Sequence, residues 1–255
     1  MFPVLLKLNI FGFPLTIYTY GAMVSLGVLV SLTILVRMAE REKMNPDHIM
    51  DILIWVLLSG FAGARLVYII VEWKTFLAAP VAVALSRSGF VFYGGLISGI
   101  IAAIWRIKKM KLNLWKTLDM FAIVVPLGHA FGRIGCFAFG CCYGRVAHSW
   151  LGVQFPKTCP AGASGIPVIP TQLIEASGLI ILFMLLWLIN RKKDFNGKVA
   201  AAYLVFYSIM RFIMEFFRGD DRGAIWFLST SQIISIGFFI AGAILYYKLK
   251  AGKKI

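Results

Sequence analysis

Acidic residues are scarce in this sequence: 11 Asp and Glu stand against 26 Lys and Arg in 255 residues, a formal net charge of +15. Carboxylates this few and this dispersed do not build an oxygen cage for a hard cation, so no metal and no cofactor is expected. Internal repeats, heptad arrays and low-complexity tails are also missing, and without inverted repeats the usual signature of a secondary transporter is absent. The opening MFPVLLKLNIFGFPLTIYTY lacks the basic start and small-residue cleavage site of a signal peptide and reads as mature sequence. No polar stretch leaves room for a separate soluble domain, so residues 1–255 are expected to form a single integral membrane domain.

What is present is apolar surface. Hydrophobic residues make up 60% of the chain and the mean hydropathy is +0.84, against roughly 45–50% apolar residues in soluble proteins. Candidate spans fall at about 17–36, 49–72, 90–107, 117–139, 172–190, 199–217 and 228–247, each near the ~20 residues needed to cross a bilayer. The expected fold is an all-α polytopic membrane protein with seven transmembrane helices. Sixteen basic residues, clustered around 37–43, 106–116, 191–198 and 248–254 (Lys253 and Lys254 among them), flank one side of these spans. The other side has Lys7, Lys74, Arg87, Arg145, Lys157, Arg218 and Arg222. The positive-inside rule then puts the N-terminus outside and the C-terminus in the cytoplasm. The basic excess is thus a topology signal, and no nucleic-acid partner is expected.

Three cations lie within the spans: Arg65, Arg133 and Arg211. A guanidinium keeps its charge at neutral pH and costs roughly 2.5–3.5 kcal/mol at the bilayer centre on insertion scales. Glu215 is the sole acid near Arg211, and Asp119 lies more than three turns before Arg133, so acids within the same stretch are too few to balance both arginines. A lipid phosphate matches the planar fork. Tyr207, Arg211, Glu215 and Arg218 recur at spacings of four, four and three, which draws one polar stripe along a helix or, read plainly, an ion-pair ladder. His129 lies four residues before Arg133 and follows Pro126, a kink site; it reads as a satisfied core histidine or as a functional partner.

Glycines supply two further readings. Gly60 with Gly63, Gly95 with Gly99, and Gly128 with Gly132 offer small faces for helix packing. The adjacent pair in Tyr93-Gly94-Gly95 weakens a helix and allows a head group to approach backbone. The Pro- and Gly-rich segment at about 144–172 is expected at the outer surface or over a cavity. Cys136, Cys141, Cys142 and Cys159 gather near it, where a bridge from Cys141 or Cys142 to Cys159 is plausible on an oxidising face. Their spacing lacks the short pairs of a structural zinc site.

Taken together, YGGLISG, GRIGCFAFGCCYGR and YSIMRFIMEFFRGDD resemble the prolipoprotein diacylglyceryl transferase family, and the likeness runs from Tyr20-Gly21 through Arg65 and IPTQLIEA to the last of these motifs. The resemblance implies a bacterial inner-membrane enzyme that moves the diacylglyceryl group of phosphatidylglycerol to the lipobox cysteine of a preprolipoprotein and releases glycerol phosphate. On that basis Arg133 is the signature arginine and Arg211 a second essential one. Tyr20, Gly94, Gly95, Gly144, Tyr207 and Glu215 occupy matching positions, and Arg65 and Arg218 join them as substrate-binding candidates. Two departures stand out. Tyr93 takes the place of a usual His, and Cys136 and Cys141 replace a usual Asn and an acid. The general base implied is then His129, or Tyr93 as a phenolate held by an arginine. A phosphatidylglycerol-binding paralogue with another acceptor, or a non-catalytic lipid-binding or transport protein, are the alternative readings.

Overall fold

The computed structural model describes residues 3–10, 13–86, 89–148, 150–219, 224–225 and 227–252. Arg87, Arg222, Lys253 and Lys254 of the charge count fall outside them. An antiparallel hairpin, β1 (Val4–Ile10) and β2 (Phe13–Tyr18), precedes helix α1 (Thr19–Arg41). There follow α2 (Pro46–Val71), the short α3 (Trp73–Ala78) and α4 (Pro80–Leu85), α5 (Phe92–Lys109), α6 (Leu114–Phe139), α7 (Thr171–Arg191) and α8 (Lys198–Glu215). A two-residue hairpin, β3 (Ala224–Ile225) with β4 (Leu228–Ser229), leads into α9 (Thr230–Gly252). The helical fold expected from the sequence is found, with two small hairpins beside the helices; the first is rich in the β-branched and aromatic residues that suit a ladder, a local preference outweighed by hydropathy in the sequence reading.

Each of the seven expected apolar stretches contains a helix of at least 18 residues. Five of them, α1, α2, α6, α7 and α9, are long and apolar enough to cross a membrane. Their outer faces carry exposed Leu29, Leu58, Phe61 and Ile181, as lipid contact demands. In α5 and α8, both 18 residues long, charges interrupt the apolar run: Arg106, Lys108 and Lys109 in one, Lys198, Arg211 and Glu215 in the other.

The chain divides into two compact units, Met1–Ile34 with Leu118–Ile255, and Leu35–Thr117. In the second, Asn45 caps α2 by accepting from the Asp47 N–H at 2.9 Å, with Pro46 at the first helical position, as the Asn-Pro-Asp signal predicts. Here α2 and α5 pack through glycine: a Cβ on Gly95 would lie 2.9 Å from the Gly60 carbonyl, and one on Gly94 would lie 2.6 Å from that of Gly63. Ser98 ties the pair by donating to the Ser59 carbonyl at 2.8 Å.

In the first unit, Ala130 of α6 and Ala176 and Leu179 of α7 form a buried cluster that Tyr207 and Met210 of α8 complete. Asp119, fully buried, acts as a remote cap for α8: its carboxylate accepts from the Gly197 and Ala200 N–H groups, each at 2.9 Å, with Lys193 Nζ at 3.6 Å. Gly197 itself sits at φ +90°, a left-handed turn natural to glycine. Asp119→Ala is expected to lower stability by about 2 kcal/mol, since it strands helix N–H donors in an apolar setting. Thermal unfolding of the detergent-solubilised protein checks this, and a melting temperature equal to wild type would show that the cap contributes nothing.

Candidate functional site

The site of interest lies where α6, α7 and α8 meet. Glu175 on α7 is almost completely buried and stands between two guanidiniums. Arg133 Nη2 of α6 is 2.9 Å from Glu175 Oε1, and Arg218 Nη1 is 4.0 Å from Oε2. On α8, Arg211 pairs with Glu215 at 3.0 Å, one turn on, and Nη2 of Arg211 donates to Ser231 Oγ of α9 at 3.3 Å. Arg133 and Arg211 thus each have a carboxylate, which corrects the expectation that acids are too few. Reading each span alone could not find Glu175, because it comes from another helix. One signal was available: Glu175 is the sole acid in the otherwise apolar α7, and an isolated charge in such a helix marks a function or a partner.

These ion pairs are close but poorly directed. Neither oxygen of Glu175 receives an aligned hydrogen bond among the described residues, nor does Glu215 Oε2, and the buried Nη1 of Arg211 donates none. Charge compensates charge, yet hydrogen-bonding capacity remains on both sides. Buried donors of this kind favour an anion whose oxygens can align with them.

His129 lies within electrostatic reach of both Arg133 and Arg211. Arg133 Nε donates to His129 Nε2 at 3.2 Å, so that nitrogen carries the lone pair and the ring proton resides on Nδ1. Glu175 Oε1 is 4.0 Å from the same nitrogen, and the ring of Tyr207, stacked on Tyr203, lies with its centroid 6.0 Å away. The lone pair a general base would use is engaged by Arg133 in this arrangement, a contact that favours a positioning role for His129 over the base role. His129→Gln, which keeps an acceptor, is expected to retain far more activity than His129→Leu; equal losses in the two variants would overturn that role.

Arg218 does not extend the α8 stripe. The helix ends at Glu215, and Arg218 enters an isolated antiparallel bridge with Gly144 that turns its side chain to Glu175. Gly144 is needed there, because a Cβ would meet the Phe217 carbonyl at 2.6 Å and Thr171 Cγ2 at 2.8 Å. Tyr20 on α1 packs against α6 at Gly135, where a Cβ would lie 3.1 Å from its ring. An apolar groove of about 240 Å³ runs between α8 and α9, lined by Ile209, Phe212, Ile213, Ile236 and Phe239 with Ser208 and Ser235.

The remaining candidates belong to the second compact unit. Arg65 is occupied by backbone: Nε donates to the Ala84 carbonyl at 3.2 Å, Nη1 to Gly89 at 2.8 Å, and Nη2 to Val83, Ala84 and Ser86 at 2.6–2.9 Å. These bonds tie Arg65 to the last turn of α4, to Ser86 and to Gly89. Gly94 and Gly95 allow close backbone approach to α2. Tyr93 is exposed on the first turn of α5.

The segment after α6 forms its own small core of Phe155, Ala161 and Val168, packed with Phe137, Tyr143 and Cys159. All four cysteines are free thiols, so the bridge to Cys159 is not made; Cys159 Sγ donates to the Pro156 carbonyl at 3.0 Å instead.

Guanidiniums buried among apolar helices and braced by a carboxylate from a third helix define a helical membrane protein with an internal cationic site. A family model described as prolipoprotein diacylglyceryl transferase matches residues 4–248, and the chain belongs to that family. A Clostridium tetani protein named phosphatidylglycerol–prolipoprotein diacylglyceryl transferase is 38% identical over 247 residues, covering 96% of this chain and 97% of the relative. A Clostridium perfringens protein named phosphatidylglycerol–prolipoprotein diacylglyceryl transferase 2 is 39% identical over 254 residues, 96% of each chain. A Finegoldia magna relative with the same name as the first is 34% identical, covering 95% of this chain and 94% of its own.

Proposed function

We propose that this protein transfers the diacylglyceryl group of phosphatidylglycerol to the lipobox cysteine thiol of preprolipoproteins, the first step of bacterial lipoprotein modification. The observation that carries the reading is the pair of largely buried arginines, Arg133 and Arg211, each beside a carboxylate, with Arg211 Nη1 left without a hydrogen-bond partner among the described residues. The donor phosphate binds these guanidiniums, and the apolar groove between α8 and α9 takes part of an acyl chain. The acceptor thiol gives up its proton and the thiolate attacks the glyceryl carbon that bears the phosphate ester. A carbon–sulfur bond forms, the carbon–oxygen bond breaks, and its electron pair leaves on glycerol phosphate. Arg133 and Arg211 stabilise the charge that gathers on that oxygen, where donors fixed in a low-dielectric site are most effective.

Glu175, Glu215 and His129 orient the arginines, while Tyr207 and Tyr20 shape the walls. Tyr93 is the candidate proton acceptor. Residues 1–255 act as one integral membrane domain of the bacterial inner membrane, with seven spans, the N-terminus outside and the C-terminus in the cytoplasm.

Purified protein incubated with phosphatidylglycerol labelled in its glyceryl group and a lipobox peptide tests the reading. Labelled peptide, lost when the peptide cysteine is Ser, is the expected result. Donor consumption without labelled peptide would indicate another acceptor, and binding without turnover would indicate a carrier; either overturns the proposal. Tyr93→Phe is expected to slow transfer markedly, and a wild-type rate would remove Tyr93 from that role.

A further inference from the structure

Three of the four cysteines converge just beyond the last turn of α6. The sulfurs of Cys136, Cys141 and Cys142 all lie within 4.8 Å of one another, and all three residues are partly exposed. Nothing in the transfer chemistry uses them.

The backbone explains the convergence. Gly140 adopts φ +78°, and its N–H bonds to the Phe137 carbonyl at 3.2 Å and the Cys136 carbonyl at 2.9 Å, while the Cys141 N–H bonds to Cys136 at 3.1 Å. This is a Schellman cap, which folds the second residue beyond the helix end back onto the third from its last turn, normally to join two apolar side chains. Here the folded pair is Cys141 and Cys136. Cys142 follows at φ +62°, a left-handed conformation unusual for a residue with a Cβ. Two fully buried side chains hold that turn: Gln172 Nε2 donates to the Cys141 carbonyl at 2.7 Å, and Thr171 Oγ1 donates to that of Cys142 at 3.0 Å. Cys159 takes no part in this arrangement, being tied to Pro156.

We propose that Cys136, Cys141 and Cys142 form a three-thiolate site for a thiophilic divalent cation of the zinc class. Zinc–sulfur bonds of about 2.3 Å around a tetrahedral ion place sulfurs about 3.8 Å apart, so rotations of about 1 Å close the site without moving backbone. Sulfur donors select soft or borderline ions over Mg²⁺ and Ca²⁺. Three thiolates on a divalent ion carry one net negative charge, and Arg133 and Arg218, whose charges reach Cys142, offset it. Three protein ligands leave the fourth position for water or an incoming thiol, the arrangement of open rather than closed zinc sites. The short ligand pairs missing from the sequence are supplied by the cap, which turns a spacing of five into contact.

The test uses full-length protein in detergent, reduced and freed of metal, then titrated with Co²⁺ and with Cd²⁺. Expected are one equivalent bound per chain, a thiolate-to-metal charge-transfer band, and displacement of Co²⁺ by Zn²⁺. Cys136→Ser, Cys141→Ser and Cys142→Ser should each weaken binding ten-fold or more, whereas Cys159→Ser should leave it unchanged. Because a variant can fail to fold, alkylation of the wild-type protein is followed by mass spectrometry in parallel: Zn²⁺ should protect Cys136, Cys141 and Cys142 and leave Cys159 as reactive as before. No stoichiometric charge-transfer band, a band that survives all three single substitutions, or alkylation unchanged by Zn²⁺ would each overturn the site. None of these readouts depends on lipid transfer, so the outcome is independent of the donor chemistry above.

Discussion

Arg133→Lys is expected to reduce diacylglyceryl transfer about 10²–10³-fold while leaving the fold intact. Lysine preserves the charge, so the ion pair with Glu175 survives in some form. What it loses is the fork. Arg133 addresses Glu175 through Nη2 and His129 through Nε in the same plane, and only a planar multi-donor group can do both while presenting a further N–H to a phosphate. An ammonium is a point charge and satisfies one of these partners at a time. The measurement is initial rate against phosphatidylglycerol concentration, with the melting temperature as a control. A loss mainly in kcat indicates an interaction made in the transition state, and a rise in KM alone indicates plain donor binding. Wild-type turnover in this variant would remove the clamp argument altogether.

Glu175→Ala should produce the largest loss of stability, about 3–5 kcal/mol, because it strands cations in an apolar interior. The carboxylate is nearly inaccessible and faces Arg133 at 2.9 Å and Arg218 at 4.0 Å. Without it the two guanidiniums repel each other across the space it filled. Glu175→Gln, which keeps the shape and an acceptor oxygen but no charge, should fall between wild type and Ala. Thermal unfolding in detergent reads the effect, and a second substitution gives it direction. Arg133→Met combined with Glu175→Ala is expected to recover part of the lost stability, since it removes one of the stranded charges. If the double variant is less stable than either single one, the loss comes from packing and the electrostatic account fails.

Much of this architecture was legible in the chain itself. Hydropathy over about twenty residues located each long helix, and the Asn45-Pro46-Asp47 signal marked the start of α2. Arg133 and Arg211 stood out because a fixed charge in an apolar run is costly wherever the helix packs. The glycine run was harder to read, since backbone exposure serves either a ligand or another helix, and only the partner shows which. Here the partner is α2, through Gly60 and Gly63. Arg218 looked like a continuation of the α8 stripe because spacing assumes an unbroken helix; the chain leaves that helix after Glu215 and bridges to Gly144.

That this chain is a set of apolar helices interrupted by arginines follows from hydropathy and charge, which are properties of each segment alone. What those arginines meet depends on how the helices pack. Glu175 reaches Arg133 from α7, His129 spends its lone pair on that same guanidinium, and a helix cap gathers three thiols from separated positions. Such pairings depend on the rotation of each helix about its axis and on how its end is turned, and both are fixed by packing across elements distant in the chain.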